Sequence, residues 1–289
     1  MHFKEYKGIL SPQNGMNISR GCTHGCIYCD ARSTCYSMDH DFEDVEIKIN
    51  APQLLEDRLR RKRKKAMIGT GAMSDPYIPL KENLANIRRC LEIIEEYGFG
   101  LSIQTKSNLI LRDLDILKRI NKKAKCIVQM TLTTHDEALC KIVEPHVSSS
   151  RQRFETLKIM HENHIETVVW LSPILPYIND TKENINGILD YCIEAKVHGI
   201  ICFEMGLTLR EGNREHYYKK LDEHFPGLRQ QYEQRYGNNY IVTSGRNREL
   251  MEIFFRRCRE HTILSDRDEV FRCLRTFPDN TGPEQPSLF

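Results

Sequence analysis

The chain has no run approaching ~20 consecutive apolar residues, which excludes a helix of membrane-spanning length. Its opening, MHFKEYKGIL, has no apolar signal core, so a cytoplasmic protein is the expectation. An excess of one charge is also missing. Lys and Arg number 42 against 40 Asp and Glu, leaving +2, so nucleic-acid binding would have to rest on a local patch. The one dense basic run, Arg58 to Lys65 (RLRRKRKK), lacks interleaved aromatics for base stacking and reads as a solvated helix end. His135, His146, His161 and His164 show no metal-ligand spacing among themselves. There is no internal repeat and no long low-complexity tract.

What is present is a 289-residue chain, 40% hydrophobic and 28% charged, enough for a substantial core in one large or two ordinary domains. It holds 11 cysteines. Without a leader, that number argues against a secreted disulfide scaffold and for free thiols in a reducing compartment. Three of them stand close together as C-x3-C-x2-C: Cys22, Cys26 and Cys29. Gly21 and Gly25 let the backbone wrap closely around a bound object. Such a loop can hold an iron–sulfur cluster, bind zinc with His24 and Cys35 completing the set, or be inert. A cluster held by three thiolates leaves one iron open to a substrate or cofactor.

Strand-like and helix-like segments alternate along the chain, the pattern of a parallel α/β fold. Strands are expected near 16–20, 66–69, 101–103, 126–128, 167–171 and 199–203. Helices are expected over 52–65, 81–97, 112–121, 150–163 and 181–196, with Pro145 dividing the segment before the fourth of them. Residues 212–275 read as mainly helical. The expected organisation is a leading segment (1–15), a partial barrel (16–210), a helical C-terminal region (211–277) and a flexible polar tail (278–289).

Four ordered stretches together resemble the radical S-adenosylmethionine superfamily, in its spore photoproduct lyase-like branch. They are GCTHGCIYCDAR, GTGAMSDPY at 69–77, TKSNLILRDLDIL at 105–117 and LSPILPYIND at 171–180. The resemblance covers about 16–236. It implies an α/β partial (β/α)6 TIM-type barrel with a mainly helical C-terminal extension. It also implies that Cys22, Cys26 and Cys29 hold a 4Fe–4S cluster whose fourth iron chelates S-adenosyl-L-methionine. An external flavodoxin- or ferredoxin-type reductant would drive cleavage to a 5′-deoxyadenosyl radical, which abstracts hydrogen from a substrate. Tyr28 would lie against the adenine. Ser74 and Asp75 would accept from the cofactor ammonium, with helix capping or an Asp-Pro turn as their structural alternative. Lys106 would neutralise the methionine carboxylate, and Thr131 would donate a hydroxyl. Ser172 and Pro173, with Asn179 and Asp180, would line the adenosyl pocket.

One position departs from the pattern. Spore photoproduct lyase itself has a hydrogen-donating cysteine two residues before the serine of the second motif, where this chain has Ala72. The chain is therefore expected not to repair the thymine lesion by that route, and Cys35 is the candidate substitute for hydrogen return. The substrate classes left open are a nucleic-acid lesion, a peptide and a small molecule. A zinc-stabilised, non-catalytic binding module is the alternative outside radical chemistry. Arg210, Arg214, Tyr217 and Tyr218 suit phosphate contact and stacking if they face the barrel mouth, and otherwise read as surface helix. The final residues, Gln285-Pro286-Ser287-Leu288-Phe289, resemble the pentapeptide by which bacterial repair proteins dock on the sliding clamp, with Pro286 in place of the usual leucine.

Overall fold

The structure, a computed structural model, describes residues 1–278; the pentapeptide Gln285–Phe289 lies outside them. Four short strands open the chain: β1 (His2–Lys4), β2 (Gly15–Met16), β3 (Ser19–Arg20) and β4 (Glu46–Lys48). Helices and strands then alternate as α1 (Ala51–Arg61), β5 (Met67–Thr70), α2 (Lys81–Glu96), β6 (Gly100–Thr105), α3 (Leu114–Lys123) and β7 (Cys126–Thr131). Two helices, α4 (Glu137–Val143) and α5 (Ser150–Glu162), lead to β8 (Glu166–Trp170), α6 (Lys182–Glu194) and β9 (Gly199–Ile201). The remainder comprises β10 (Gly206–Thr208), α7 (Asn213–His224), α8 (Leu228–Tyr236), β11 (Ile241–Thr243), α9 (Asn247–Glu260) and α10 (Arg267–Arg275).

Six strands form one sheet in the order β2-β5-β6-β7-β8-β9, every pair parallel. The two edge strands do not pair, so the barrel is open. A parallel sheet must be covered on both faces, and β7 (CIVQMT) accordingly buries all six residues. Its outer cover comes from helices with one apolar stripe. In α2 the buried Ile87, Cys90, Leu91 and Ile94 recur at helical spacing. No helix among the described residues is long and apolar enough to cross a membrane.

The two helices flanking Pro145 are set by side-chain caps. Asp136 accepts from the amides of Ala138 and Leu139 at the start of α4. Ser149 and Gln152 form a reciprocal capping box at the start of α5. This fixes a corner directly behind the cysteine loop.

Three expectations need correction. The strand expected over 16–20 is two: β2 joins the barrel, while β3 joins a separate β1-β4-β3 sheet, because the backbone turns at Asn17–Ile18. The basic run 58–65 leaves the helix after Arg61, so its last four cations lie on the following turn. The region 212–275 is not wholly helical, since β11 pairs antiparallel with β10.

Candidate functional site

Parallel α/β folds place ligands at the carboxyl ends of their strands. Here that end opens into a cavity of about 690 Å³. Its wall brings together Cys22, Cys26, Cys29, Tyr28, Ser74, Asp75, Lys106, Thr131 and Ser172, which come from the loops after β3, β5, β6 and β8 and from the last residue of β7.

The cysteine loop is held from three sides. The Cys22 amide donates to the Phe42 carbonyl at 3.0 Å, and the Ile27 amide to Val143 at 3.0 Å. The His146 amide donates to the His24 carbonyl at 3.2 Å. Gly21 has φ +82°, and a Cβ there would stand 2.4 Å from the Phe42 carbonyl oxygen, so only glycine fits. Ser74 donates to the Gly21 carbonyl at 2.6 Å and meets Ser19 Oγ at 2.8 Å. Its hydroxyl proton thus holds the loop.

Asp75 is similarly engaged. One oxygen accepts from the Tyr77 amide (2.8 Å) and the Thr105 hydroxyl (2.7 Å), and the other from the Lys106 amide (2.7 Å). His24 Nδ1 lies 3.5 Å from the second oxygen. Asp75 therefore ties the loop after β5 to the end of β6 and aims Lys106. The backbone permits this closeness through Gly71 (φ +98°), where a Cβ would fall 1.9 Å from the Gln104 carbonyl oxygen. Lys106 makes no ion pair or side-chain hydrogen bond among the described residues, and its ammonium lies 5.6 Å from the Tyr28 ring centroid. Burial pulls its pKa down, but the Cys26 and Cys29 sulfurs with Glu144 and Asp75 outweigh this and hold it above its usual value.

Behind the loop lies a charge network that sequence reasoning missed. Tyr28 donates to Glu144, which pairs with Arg153; both charged residues are fully buried. Arg153 also donates to the Thr131 carbonyl (2.7 Å) and to Cys140 Sγ (3.1 Å). Burial alone would raise the Glu144 carboxyl; Arg153 first, then Lys106, hold it below its ordinary range. One sequence signal existed. Arg153 shares the spacing of the buried Leu157 and Met160, placing a charge on the apolar stripe of α5.

The placement of the remaining candidates is uneven. Cys35 is exposed, accepts from Arg210 at 3.3 Å and is not part of the cavity wall. Asn179 and Asp180 are not wall residues either. Asn179 accepts from the Leu175 amide and donates to the Thr133 carbonyl (2.8 Å), while Asp180 accepts from the Tyr177 amide (2.7 Å) and from Ser244. Tyr217 and Tyr218 are buried rather than on a helix surface, in a cluster with Tyr232. The mouth is instead rimmed by Trp170, Phe203, Tyr240 and Arg267, drawn from β8, the loop after β9, the residue before β11, and α10. Arg267 lies 5.9 Å from the Phe203 ring centroid, and Arg210 4.9 Å from that of Tyr240.

The donor chemistry separates cluster from zinc. Tetrahedral zinc–thiolate bonds of about 2.3 Å put ligand atoms about 3.8 Å apart. Among the described residues, Cys22, Cys26 and Cys29, with or without His24, do not form a set whose donors all lie within 4.8 Å of one another. Their spacing is thus not that of a closed zinc site. Burial pushes the Cys22 thiol up to about 12 and raises those of Cys26 and Cys29 too. These sulfurs become thiolates when a bound group supplies positive charge, as an iron cluster does.

Comparison with known proteins agrees. The profile of the radical SAM superfamily matches residues 16–192. An uncharacterised protein of Methanocaldococcus jannaschii is 33% identical over 164 residues, 56% of this chain and 60% of that protein. One from Mycobacterium tuberculosis is 28% identical over 227 residues, 76% and 66% respectively. The chain thus spans about three fifths to two thirds of the length of these relatives. Spore photoproduct lyase with a Tyr-to-Phe substitution superposes with TM-score 0.67 at 14% identity, covering 91% of this chain and 80% of that one. A variant of it with bound S-adenosylmethionine and dinucleoside spore photoproduct gives 0.62 at 14% identity, covering 86% and 74%. At such identity the likeness concerns the fold. Sequence, fold and a three-thiol loop facing a cavity converge, and the chain belongs to the radical SAM superfamily, enzymes that work with a 4Fe–4S cluster and S-adenosylmethionine.

Proposed function

We propose that this enzyme, fed electrons by a flavodoxin- or ferredoxin-type reductant in a reducing cytoplasm, abstracts hydrogen from a nucleic-acid substrate presented at the aromatic mouth. The observation that carries this reading is the rim itself. Trp170, Phe203 and Tyr240 offer ring faces, and Arg267 and Arg210 stand against two of them. Aromatic faces interleaved with guanidinium groups suit stacked bases on an anionic backbone.

In this reading Cys22, Cys26 and Cys29 hold the cluster, and the bound pair of cofactors supplies a 5′-deoxyadenosyl radical. The chain's own residues orient and shield. Among the described residues Lys106 offers the one wall cation without an ion pair, suited to the methionine carboxylate. Tyr28, locked by Glu144, presents a fixed ring edge toward the adenosyl group. Ser74 and Asp75 hold the loops that carry the cysteines and Lys106, leaving free lone pairs for the cofactor ammonium. Thr131 and Ser172 supply hydroxyls to the cofactor.

Among the described residues the wall contains no thiol besides Cys22, Cys26 and Cys29, and Ala72 stands in it. A thiol-mediated return of hydrogen from the wall is therefore unsupported, Cys35 being outside it, and repair of the spore thymine lesion by that route is not expected. The clamp-docking reading of Gln285–Phe289 is tested by comparing clamp affinity of the full chain and a chain ending before Gln285; equal affinity removes it.

The test of function is anaerobic reconstitution followed by measurement of 5′-deoxyadenosine with and without single-stranded DNA or RNA. Nucleic acid should accelerate its formation, and nucleic acid deuterated at the attacked position should pass deuterium into the 5′-deoxyadenosine. Stimulation by peptides alone would reassign the substrate.

A further inference from the structure

We propose that Glu166, His198 and Cys273 form a divalent-metal site, of the kind zinc(II) fills, on the face of the barrel opposite the cavity. Glu166 begins β8, His198 immediately precedes β9, and Cys273 lies on α10, the helix that covers this end of the sheet. All three are at the amino ends of the parallel strands, away from the radical site.

The donor set is one that zinc takes: thiolate, imidazole and carboxylate. Cys273 Sγ lies 3.5 Å from His198 Nε2 and 4.0 Å from a Glu166 oxygen. The donors of all three residues fall within 4.8 Å of one another. A thiolate and an imidazole on one tetrahedral zinc would be about 3.6 Å apart.

A second observation points to a cation here. The Lys125 ammonium lies 3.4 Å from Cys273 Sγ and 3.5 Å from Glu166. The chain thus already holds a positive charge among these donors. A divalent ion of higher charge would compete with the lysine, whose ammonium also donates to the Cys273 carbonyl at 3.2 Å.

Cys273 also differs from the ordinary buried cysteines of this chain. Cys90, Cys126 and Cys192 are wholly buried within the main aliphatic core. Cys273 packs at the edge of the Val270–Leu274 cluster of α10, with its sulfur beside His198 and Lys125. With solvent reaching His198 and Glu166, a water would complete the coordination. The bound ion would clasp α10 to the ends of β8 and β9.

Cobalt(II) titration of the anaerobically reconstituted holoenzyme tests this, with zinc(II) as competitor. Filling the cysteine loop with its cluster keeps that loop from contributing. The expected result is one cobalt per chain with a thiolate-to-metal charge-transfer band, displaced by one equivalent of zinc. Cys273→Ser should abolish the band, and His198→Gln should weaken binding at least about tenfold. Lys125→Met should tighten it about tenfold by removing the competing ammonium. The same cobalt band should appear in a Cys22→Ala/Cys26→Ala/Cys29→Ala chain, which keeps the result independent of cluster loading. A holoenzyme without the band, or a band undiminished in Cys273→Ser of unchanged melting temperature, overturns the proposal.

Discussion

Single residues divide here into those that face the cavity and those that hold the ones that do. Cys22, Cys26 and Cys29 were legible because thiol spacing is itself the chemistry. Ser74 and Asp75 were legible as site residues but not as clamps, because their partners, the Gly21 carbonyl and the Lys106 amide, are far away in sequence. Glu144 and Arg153 were not legible as a pair at all. Two consequences can be measured. Glu144→Gln leaves the Arg153 guanidinium buried and unpaired, so unfolding by urea should show a loss of about 3–5 kcal/mol. Glu144→Gln with Arg153→Met should recover much of it, since no charge is then stranded. Lys106→Met, by contrast, touches no internal partner. It should leave iron content unchanged and weaken S-adenosylmethionine binding tenfold or more, as expected for a lost charge-assisted bond of about 1.5–3 kcal/mol.

At the scale of elements, the helices and central strands followed directly from apolar periodicity, as in α2 and β7. The errors fell where pairing rather than pattern decides. The alternation over 16–20 is too short to specify its sheet, and the backbone divides it between two. Strand β11 is three residues long and exists through its bonds to β10, more than thirty residues earlier. Helix α7 carries an element-level prediction. Its His216 ring packs against the cysteine-loop side of the molecule, with Nε2 buried and unpartnered. Burial, reinforced by the Arg32 cation, holds its pKa down to about 4 from the usual 6.5. The unfolded chain therefore binds the proton first as pH falls. The contribution is intact above about pH 6.5 and is lost progressively as pH drops toward 4. Stability measured by urea unfolding should decline from pH 7 to pH 5, and His216→Gln should flatten that decline. An unchanged slope in the variant would place the titration elsewhere.

The whole molecule has two ends with different tasks. One end is filled by the later turns of α10, whose Val270 and Leu274 pack on Met67, Ile127, Val168 and Ile201, while Arg267 at the start of the same helix reaches the cavity. The other is open and rimmed by aromatic rings. Composition could not foresee the rim, because a net charge of +2 and an aromatic content of 8% describe an ordinary surface. Trp170, Phe203, Tyr240 and Arg267 are spread over nearly a hundred positions and meet because the end of β8, the loop after β9, the residue before β11 and the start of α10 come together at the cavity. If that rim receives nucleic acid, two kinds of substitution should part company. Phe203→Ala and Tyr240→Ala remove stacking worth about 1–3 kcal/mol per base, weakening binding at every salt concentration. Arg267→Gln and Arg210→Gln remove phosphate contacts, so each should lower the slope of log affinity against log salt by about one. Phe203, Tyr240 and Arg267 line the mouth, and basal cleavage of S-adenosylmethionine without substrate should persist in their variants; Arg210 stands 3.6 Å from Asp30, beside Cys29, so its variant also needs its iron content checked. A filter-binding salt series on single-stranded DNA distinguishes the outcomes, and identical salt slopes for wild type and arginine variants would rule out a phosphate-reading mouth.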